Sequence, residues 1–373
     1  MRIFHPRILT LPALFLLLTS MGCLAGAEEE TPALSYEVKF LLDSDRVLGE
    51  DHLLKEEVKA LFGISAESEK YPDKYEEIEA LYLETMDKTY YKEGWINRIR
   101  WKGEEGELER TYKRRFSFDG MSEEDVEAAL NLAKNAGFEP GSKYEAQIDW
   151  SQDKMTLSFT KLPESTELRE QSPELAKMTT GEAVHYLLED MPEEETDRTS
   201  ILRAQKAGPV TYHKIKGVFN DEKGKKITKV TIEIWPVEKK RTKEVTYTAE
   251  LSFKVEGKKA FYQTADSYRK QLEKFMEENE LLSEDDSLKT TMILDAYIRP
   301  YPETIAFSLP AGLTKIGSDA FAGCPVSSVL VPDKTGDIVG NPFSGAEDLI
   351  VIGALDSAAD TFANQFGYSF IPE

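Results

Sequence analysis

Apolar and polar residues alternate over much of this chain with a period of two, the repeat of strands that bury one face. Eight such strands are predicted. In Ser35–Leu41, Glu37 and Lys39 oppose Tyr36, Val38 and Phe40; in Trp95–Lys102, Arg98, Arg100 and Lys102 oppose Ile99 and Trp101. Glu107–Phe116 puts Glu109, Thr111, Lys113 and Arg115 on one side, while Arg110 and Arg114 make the other side less apolar. Tyr144–Trp150 sets Gln147 and Asp149 against Ile148 and Trp150, and Met155–Thr160 continues the alternation. Val210–Phe219, Ile227–Trp235 and Val245–Val255 complete the set, with Glu233 opposed to Ile232 and Ile234, and Glu250 to Ala249 and Leu251.

Helical stretches lie between the strands. Glu123–Asn135, opened by Ser122 and stopped by Gly137, is the clearest, with others at about Glu50–Phe62, Gly181–Glu189 and Ala260–Leu281. Strands with one polar face suit two architectures: a sheet with a wet side, or a closed barrel with a polar lumen and helices over an apolar exterior. Periodicity alone leaves both open.

Charge narrows the function more than the fold. With 46 Lys and Arg against 68 Asp and Glu, the formal net charge is −22, which excludes general nucleic-acid binding through a broad basic surface. An anion site must therefore be local. Positive charge is concentrated at Arg98, Arg100, Lys102, Arg110, Lys113, Arg114 and Arg115, a run that spacing alone reads equally well as a solvated strand face paired with glutamates. The two cysteines, Cys23 and Cys324, exclude cysteine-based metal sites, and the four histidines form no zinc-like pair. Cys324 is expected to pack as a small core residue.

The N-terminus has the parts of an export signal: Arg2 and Arg7, an apolar run from Ile8 to Leu18, then small residues. Residues 1–27 are set aside from the fold accordingly. Two cleavage sites compete. Thr19-Ser20-Met21-Gly22-Cys23 resembles a lipobox, which would acylate Cys23 and tether the chain at the cell surface; Ala25-Gly26-Ala27 fits ordinary cleavage and free secretion. Either predicts an extracytoplasmic protein that meets a membrane only through a lipid on Cys23.

Three elements in order, Tyr82-Leu83-Glu84-Thr85, Arg98-Ile99-Arg100 and Leu108-Glu109-Arg110-Thr111-Tyr112-Lys113, resemble the pattern of the CYTH, or triphosphate-tunnel, family. Lys214 and Lys216, the strands holding Glu233 and Glu250, and Ser287-Leu288-Lys289-Thr290 extend the resemblance over residues 35–297. It implies an α+β fold: an eight-stranded antiparallel tunnel-like barrel flanked by helices. It also implies a triphosphate or polyphosphate ligand held by Lys39, Arg98, Arg100, Lys113 and Lys214 or Lys216, with Mg²⁺ or Mn²⁺ on Glu37, Glu233 and Glu250. Such equipment suits phosphoryl transfer, which needs charge neutralisation more than a protein nucleophile, and no catalytic side chain is assigned. Two positions depart from the pattern, since Ser35 and Ser252 stand where acids are usual, and the loss weakens the metal set.

From residue 303 to 373 the chain resembles the BspA-type leucine-rich repeats of bacterial surface proteins, on Ile316-Gly317-Ser318-Asp319-Ala320-Phe321 and Val329-Leu330-Val331-Pro332, with a closing cap at Gly367–Pro372. A protein partner is expected there. The function implied is that of an exported binder or metal-dependent hydrolase of tripolyphosphate or a related anion. The alternative is a catalytically degenerate surface protein that binds an anion or a protein.

Overall fold

The computed structural model describes residues 34–102, 107–141, 143–161, 167–168, 175–195, 198–239, 244–256, 262–284 and 289–373. The N-terminal segment read as an export signal, with Cys23, lies outside the described residues, as do Ser287 and Leu288.

All eight expected strands form, joined by a ninth. In chain order they are β1 (Leu34–Leu42), β2 (Glu76–Glu84), β3 (Trp95–Lys102), β4 (Glu107–Ser117), β5 (Tyr144–Trp150), β6 (Met155–Lys161), the two-residue β7 (Glu167–Leu168) appended to β4, β8 (Gln205–Asn220), β9 (Lys226–Lys239) and β10 (Glu244–Val255). Around the ring the order is β3-β2-β8-β9-β10-β1-β5-β6-β4, and β4 pairs back onto β3, closing a barrel. The expected count and the wholly antiparallel pairing both need correction. Nine strands cannot alternate in direction around a closed ring, so one neighbouring pair must be parallel, and that seam is β1–β5, with Tyr36 opposite Ile148.

The unread strand is β2. Its Leu81 and Leu83 join the outer core while Ile78, Ala80 and Tyr82 join an inner one, so both faces are apolar and no alternation shows. Elsewhere the alternation holds as read. The apolar parity of β1, β5 and β6 faces outward, where Val38, Phe40, Ile148, Trp150 and Leu157 are buried in the main core. Four helices precede β5: α1 (Ser44–Val47), α2 (Glu56–Leu61), α3 (Thr89–Lys92) and α4 (Glu123–Asn135). The helix expected at Glu50–Phe62 starts only at Glu56, because a tight turn closes Gly49 N–H onto the Leu53 carbonyl at 2.8 Å, with His52 at φ 60°. By contrast α4 keeps its expected bounds. Ser122 and Asp125 cap it reciprocally, each side chain accepting from the other's backbone N–H at 3.2 and 2.9 Å, a device worth about 0.5–2 kcal/mol.

After β6 come α5 (Thr180–Leu188), α6 (Tyr262–Glu278) and α7 (Lys289–Tyr297). Val126, Ala129 and Ala133 of α4 and Ala265, Leu272 and Met276 of α6 supply the buried stripes that cover the outer wall. The two outward arginines of β4 are covered too. Arg110 lies 4.3 Å over the Tyr186 ring of α5 and pairs with Glu189 at 3.0 Å; Arg114 lies over Trp95 and Phe116. Their guanidinium faces pack on rings, which lets charged residues occupy an apolar parity.

The tail forms short parallel strands, β11 (Phe307–Ser308), β13 (Ser328–Leu330) and β15 (Ile350–Gly353), with β16 (Ser369–Pro372) closing one face, and β12 (Lys315–Ile316) with β14 (Asp337–Ile338) on another. Phe307 pairs beside Val329 and Val329 beside Val351, so successive turns stack in register over a core that includes Phe343 and Phe362 of α8 (Ala358–Phe366). Cys324 is exposed, contrary to expectation. It sits at the end of a turn whose inward ring is Phe321, stacked on Phe343 at 5.0 Å, which fills the place expected for the thiol. The tail is also bolted to the barrel domain. Buried Asp360 of α8 accepts from the Thr180 and Gly181 N–H groups at 3.0 and 2.8 Å, capping α5, and Lys206 of β8 reaches Asn364.

Candidate functional site

The polar parity of each strand faces one lumen, and register orders its residues by depth. At one mouth the strand ends carrying Leu41, Ile96, Arg115, Asp149 and Glu250 surround a cavity of about 560 Å³. Beyond it, Lys113 lies opposite Ile96, Arg98 opposite Thr111, and Arg100 opposite Glu109, each pair a step deeper along the β3–β4 wall. On the far wall Glu233 pairs with Lys214 of β8 on one side and with Glu250 of β10 on the other.

Asp149 organises the first cluster. Its Oδ1 accepts from Lys39 Nζ at 2.8 Å and Gln147 Nε2 at 2.7 Å; its Oδ2 accepts from Lys113 Nζ at 2.7 Å and Ser158 Oγ at 2.9 Å. Glu37 lies beside it, 2.8 Å from Lys39 Nζ and 2.7 Å from Gln147 Nε2. Burial opposes ionising these acids, yet the surrounding lysines win. Lys113 and Lys39 hold Asp149 well below the usual carboxylate range, and Lys39 holds Glu37 below it. Lys39 itself is raised, because Asp149 and Glu37 outweigh its burial. Lys113 goes the other way, down to about 8, since burial together with Lys39 and Arg115 overcomes the single contact with Asp149. Arg115 has no ion pair among the described residues, although its charge reaches Asp149.

A second cluster adjoins the first through Lys39 and Glu250, whose charges interact. Lys289, the first residue of α7, places its ammonium 2.5 Å from Glu233 Oε2 and 2.8 Å from Glu250 Oε1, and 4.8 Å over the Trp235 ring. Trp235 Nε1 donates to the same Glu233 oxygen at 3.0 Å. Glu233 titrates near 2, because Lys289 overcomes the cost of burial. Deeper in the lumen Arg100 is paired with Glu109, and Arg98 makes one long contact to Thr111 at 3.4 Å. The buried Nε groups of both arginines have no acceptor among the described residues.

The structure therefore gathers Lys39, Arg98, Arg100, Lys113, Lys214, Glu37, Glu233 and Glu250 around one lumen. Lys214 leans toward Glu76 at 3.7 Å, and Lys216, one step further along β8, is exposed. Three residues at the centre had not been assigned a role. Asp149 and Arg115 stood on the polar parities of their strands, and Lys289 stood in the Ser287–Thr290 element, but parity says only which wall face a residue occupies, not which partner it meets. The rest of the lumen is apolar. Ile293, Leu294 and Tyr297 of α7 pack against Ile78, Tyr82, Val210 and the stacked pair Tyr212 and Trp235, whose rings are 3.7 Å apart.

The acids implied for Mg²⁺ or Mn²⁺ do not suit a divalent ion in this arrangement. Glu37 gives one oxygen to Lys39, while Glu233 and Glu250 each give one to Lys289, so the point where those two acids converge is already held by an ammonium. Among the described residues no three His, Cys, Asp or Glu side chains group as metal ligands.

No family model matches the chain, and no curated protein does. Solved structures that resemble it include a candidate adenylyl cyclase from Hippeastrum described as having a dominant triphosphatase activity, 11% identical with a TM-score of 0.35 over 69% of this chain and 94% of that one. Another is a candidate adenylate cyclase from Bacillus halodurans, 13% identical with a TM-score of 0.33 over 68% of this chain and 94% of that one. At those values the likeness is one of general shape, and the closed barrel stands on its own strand pairings.

Proposed function

We propose that the lumen binds a polyphosphate anion of the tripolyphosphate class. One observation carries the reading: in a chain of net charge −22, the cavity is lined by Lys39, Lys92, Arg115, Lys154 and Lys289 against Glu93, Asp149, Asp153 and Glu250, so that the local balance is reversed to a small positive surplus. The unfilled Nε donors of Arg98 and Arg100 point the same way. A buried donor without an acceptor costs about 1–3 kcal/mol, a cost that phosphate oxygens would remove. The volume of about 560 Å³ lies within the range of small-ligand sites. Binding is favoured over hydrolysis because the acids that metal-assisted cleavage would use are engaged by lysines.

A second reading, in which these charges only brace the barrel wall, is favoured by the saturation of Asp149 with four donors. Isothermal titration with tripolyphosphate separates the two. The binding reading expects a saturable heat that Arg98→Ala weakens roughly ten- to hundredfold, the equivalent of losing one charge-assisted contact of about 1.5–3 kcal/mol. No heat with or without Mn²⁺ would leave the bracing reading. Steady phosphate release on incubation would instead restore the hydrolase.

The export segment supports an extracytoplasmic position for this binder, tethered through Cys23 or released. Fatty-acid labelling that disappears in Cys23→Ala would establish the tether; an unlabelled mature chain beginning at Glu28 would establish release.

A further inference from the structure

We propose that the Lys289 ammonium is a built-in cation, standing between Glu233 and Glu250 where a divalent ion would otherwise sit, so that the lumen takes up its anion without metal. The clause about the anion rests on the function proposed above; the clause about the cation does not.

Glu233 and Glu250 are direct cross-strand partners on the inner face of β9 and β10. Two like charges facing each other across a ladder destabilise it unless something positive lies between them. An isolated acid pair in that position would recruit a metal ion or a proton. Here the chain supplies the counter-charge. Nζ lies 2.5 and 2.8 Å from the two carboxylates, Trp235 Nε1 takes a further lone pair of Glu233 at 3.0 Å, and the indole ring closes the ammonium from below at 4.8 Å. Mg²⁺ or Mn²⁺ would need several of those same oxygens at once.

The lysine is also held in place. It begins α7, and that nine-residue helix is fixed by Ile293, Leu294 and Tyr297 in the apolar half of the lumen, while Tyr91 Oη is hydrogen-bonded to Thr291 at 2.6 Å. A metal ion would have to displace an ammonium carried by a helix that is packed into the barrel.

The test is an Mn²⁺ titration of the metal-stripped full chain followed by electron paramagnetic resonance, beside tripolyphosphate calorimetry in EDTA and in Mn²⁺. Wild type and Lys289→Arg are expected to show no saturable Mn²⁺ site tighter than about 1 mM, the weak end of protein sites for hard cations. Lys289→Met should gain one at least about tenfold tighter, and adding Glu250→Gln should abolish it. Wild-type protein should bind tripolyphosphate saturably in EDTA, with no metal present. A wild-type Mn²⁺ site that Glu250→Gln weakens would overturn the proposal, as would a folded Lys289→Met without the gain. Should Lys289→Met not fold, the wild-type Mn²⁺ titration without anion still decides, because a site tighter than about 1 mM that Glu250→Gln weakens contradicts a built-in cation. Absence of anion binding in both buffers would refute the function proposed above and the metal-free uptake with it, while the Mn²⁺ titration still reads the site of Lys289.

Discussion

One closed wall encloses two unlike halves. On the side of β2, β8 and β9, α7 fills the lumen with Ile293, Leu294 and Tyr297 against Ile78, Val210 and Tyr212; on the side of β1, β4 and β5, Lys39, Arg115 and Asp149 border an open cavity, with Glu37 and Lys113 paired to them. The apolar half gives packing and a rigid floor, as burial of each large side chain contributes about 1.5–3 kcal/mol. The charged half keeps its ions hydrogen-bonded but holds a surplus of cations that the wall does not neutralise. Lys289 stands at the boundary, rooted in one half and reaching into the other.

Perturbing the apolar half should have the largest effect, and on stability. Ile293→Ala removes a fully buried side chain from the plug and should cost about 2–5 kcal/mol in urea unfolding, with loosened anion binding as a secondary consequence of a displaced Lys289. A cost below 1 kcal/mol would mean that α7 is not part of the barrel's core.

Arg98→Ala in the charged half should do the converse, weakening tripolyphosphate roughly ten- to hundredfold while leaving the unfolding midpoint near wild type, since its guanidinium has only weak protein contacts to lose, a long one to Thr111 and one over the Tyr82 ring. Asp360→Ala, remote from both halves, strips the buried cap from α5 and should cost about 1–3 kcal/mol without altering anion affinity. If it changes affinity, the tail is coupled to the lumen.

The smallest effect is one of pH. Lys113 titrates near 8 in the free protein, because burial and its cationic neighbours outweigh Asp149. A bound anion favours the protonated form, so binding takes up a proton above about pH 8. Affinity should then fall as pH rises past 8, by up to about tenfold per pH unit from this group, and the slope should vanish in Lys113→Met. A flat profile from pH 7 to 9.5 would show that Lys113 does not face the ligand.

The contrast between the halves also explains what was legible in the sequence. Where the inner face is charged and the outer apolar, as in β1, β3 and β5, alternation gave strand and facing together. In β2 both faces are apolar, so period two is erased and the strand passes unseen, and with it the odd count that forces the parallel β1–β5 seam. Lys289 was visible as a residue, but its grip on Glu233 and Glu250 depends on α7 entering the lumen, which a nine-residue helix of low amphipathic contrast does not announce. The exposed Cys324 shows the same limit, since apolar character cannot tell which of Phe321 and Cys324 takes the inward place.

The measurement that tests the account most directly is a crystal structure with tripolyphosphate and EDTA present. The account predicts phosphate density in the cavity bounded by Lys39 and Arg115, reaching toward Lys113 and Arg98, with the Lys289 ammonium still between Glu233 and Glu250. An empty lumen at saturating anion, or an anion bound only outside the barrel, would contradict it.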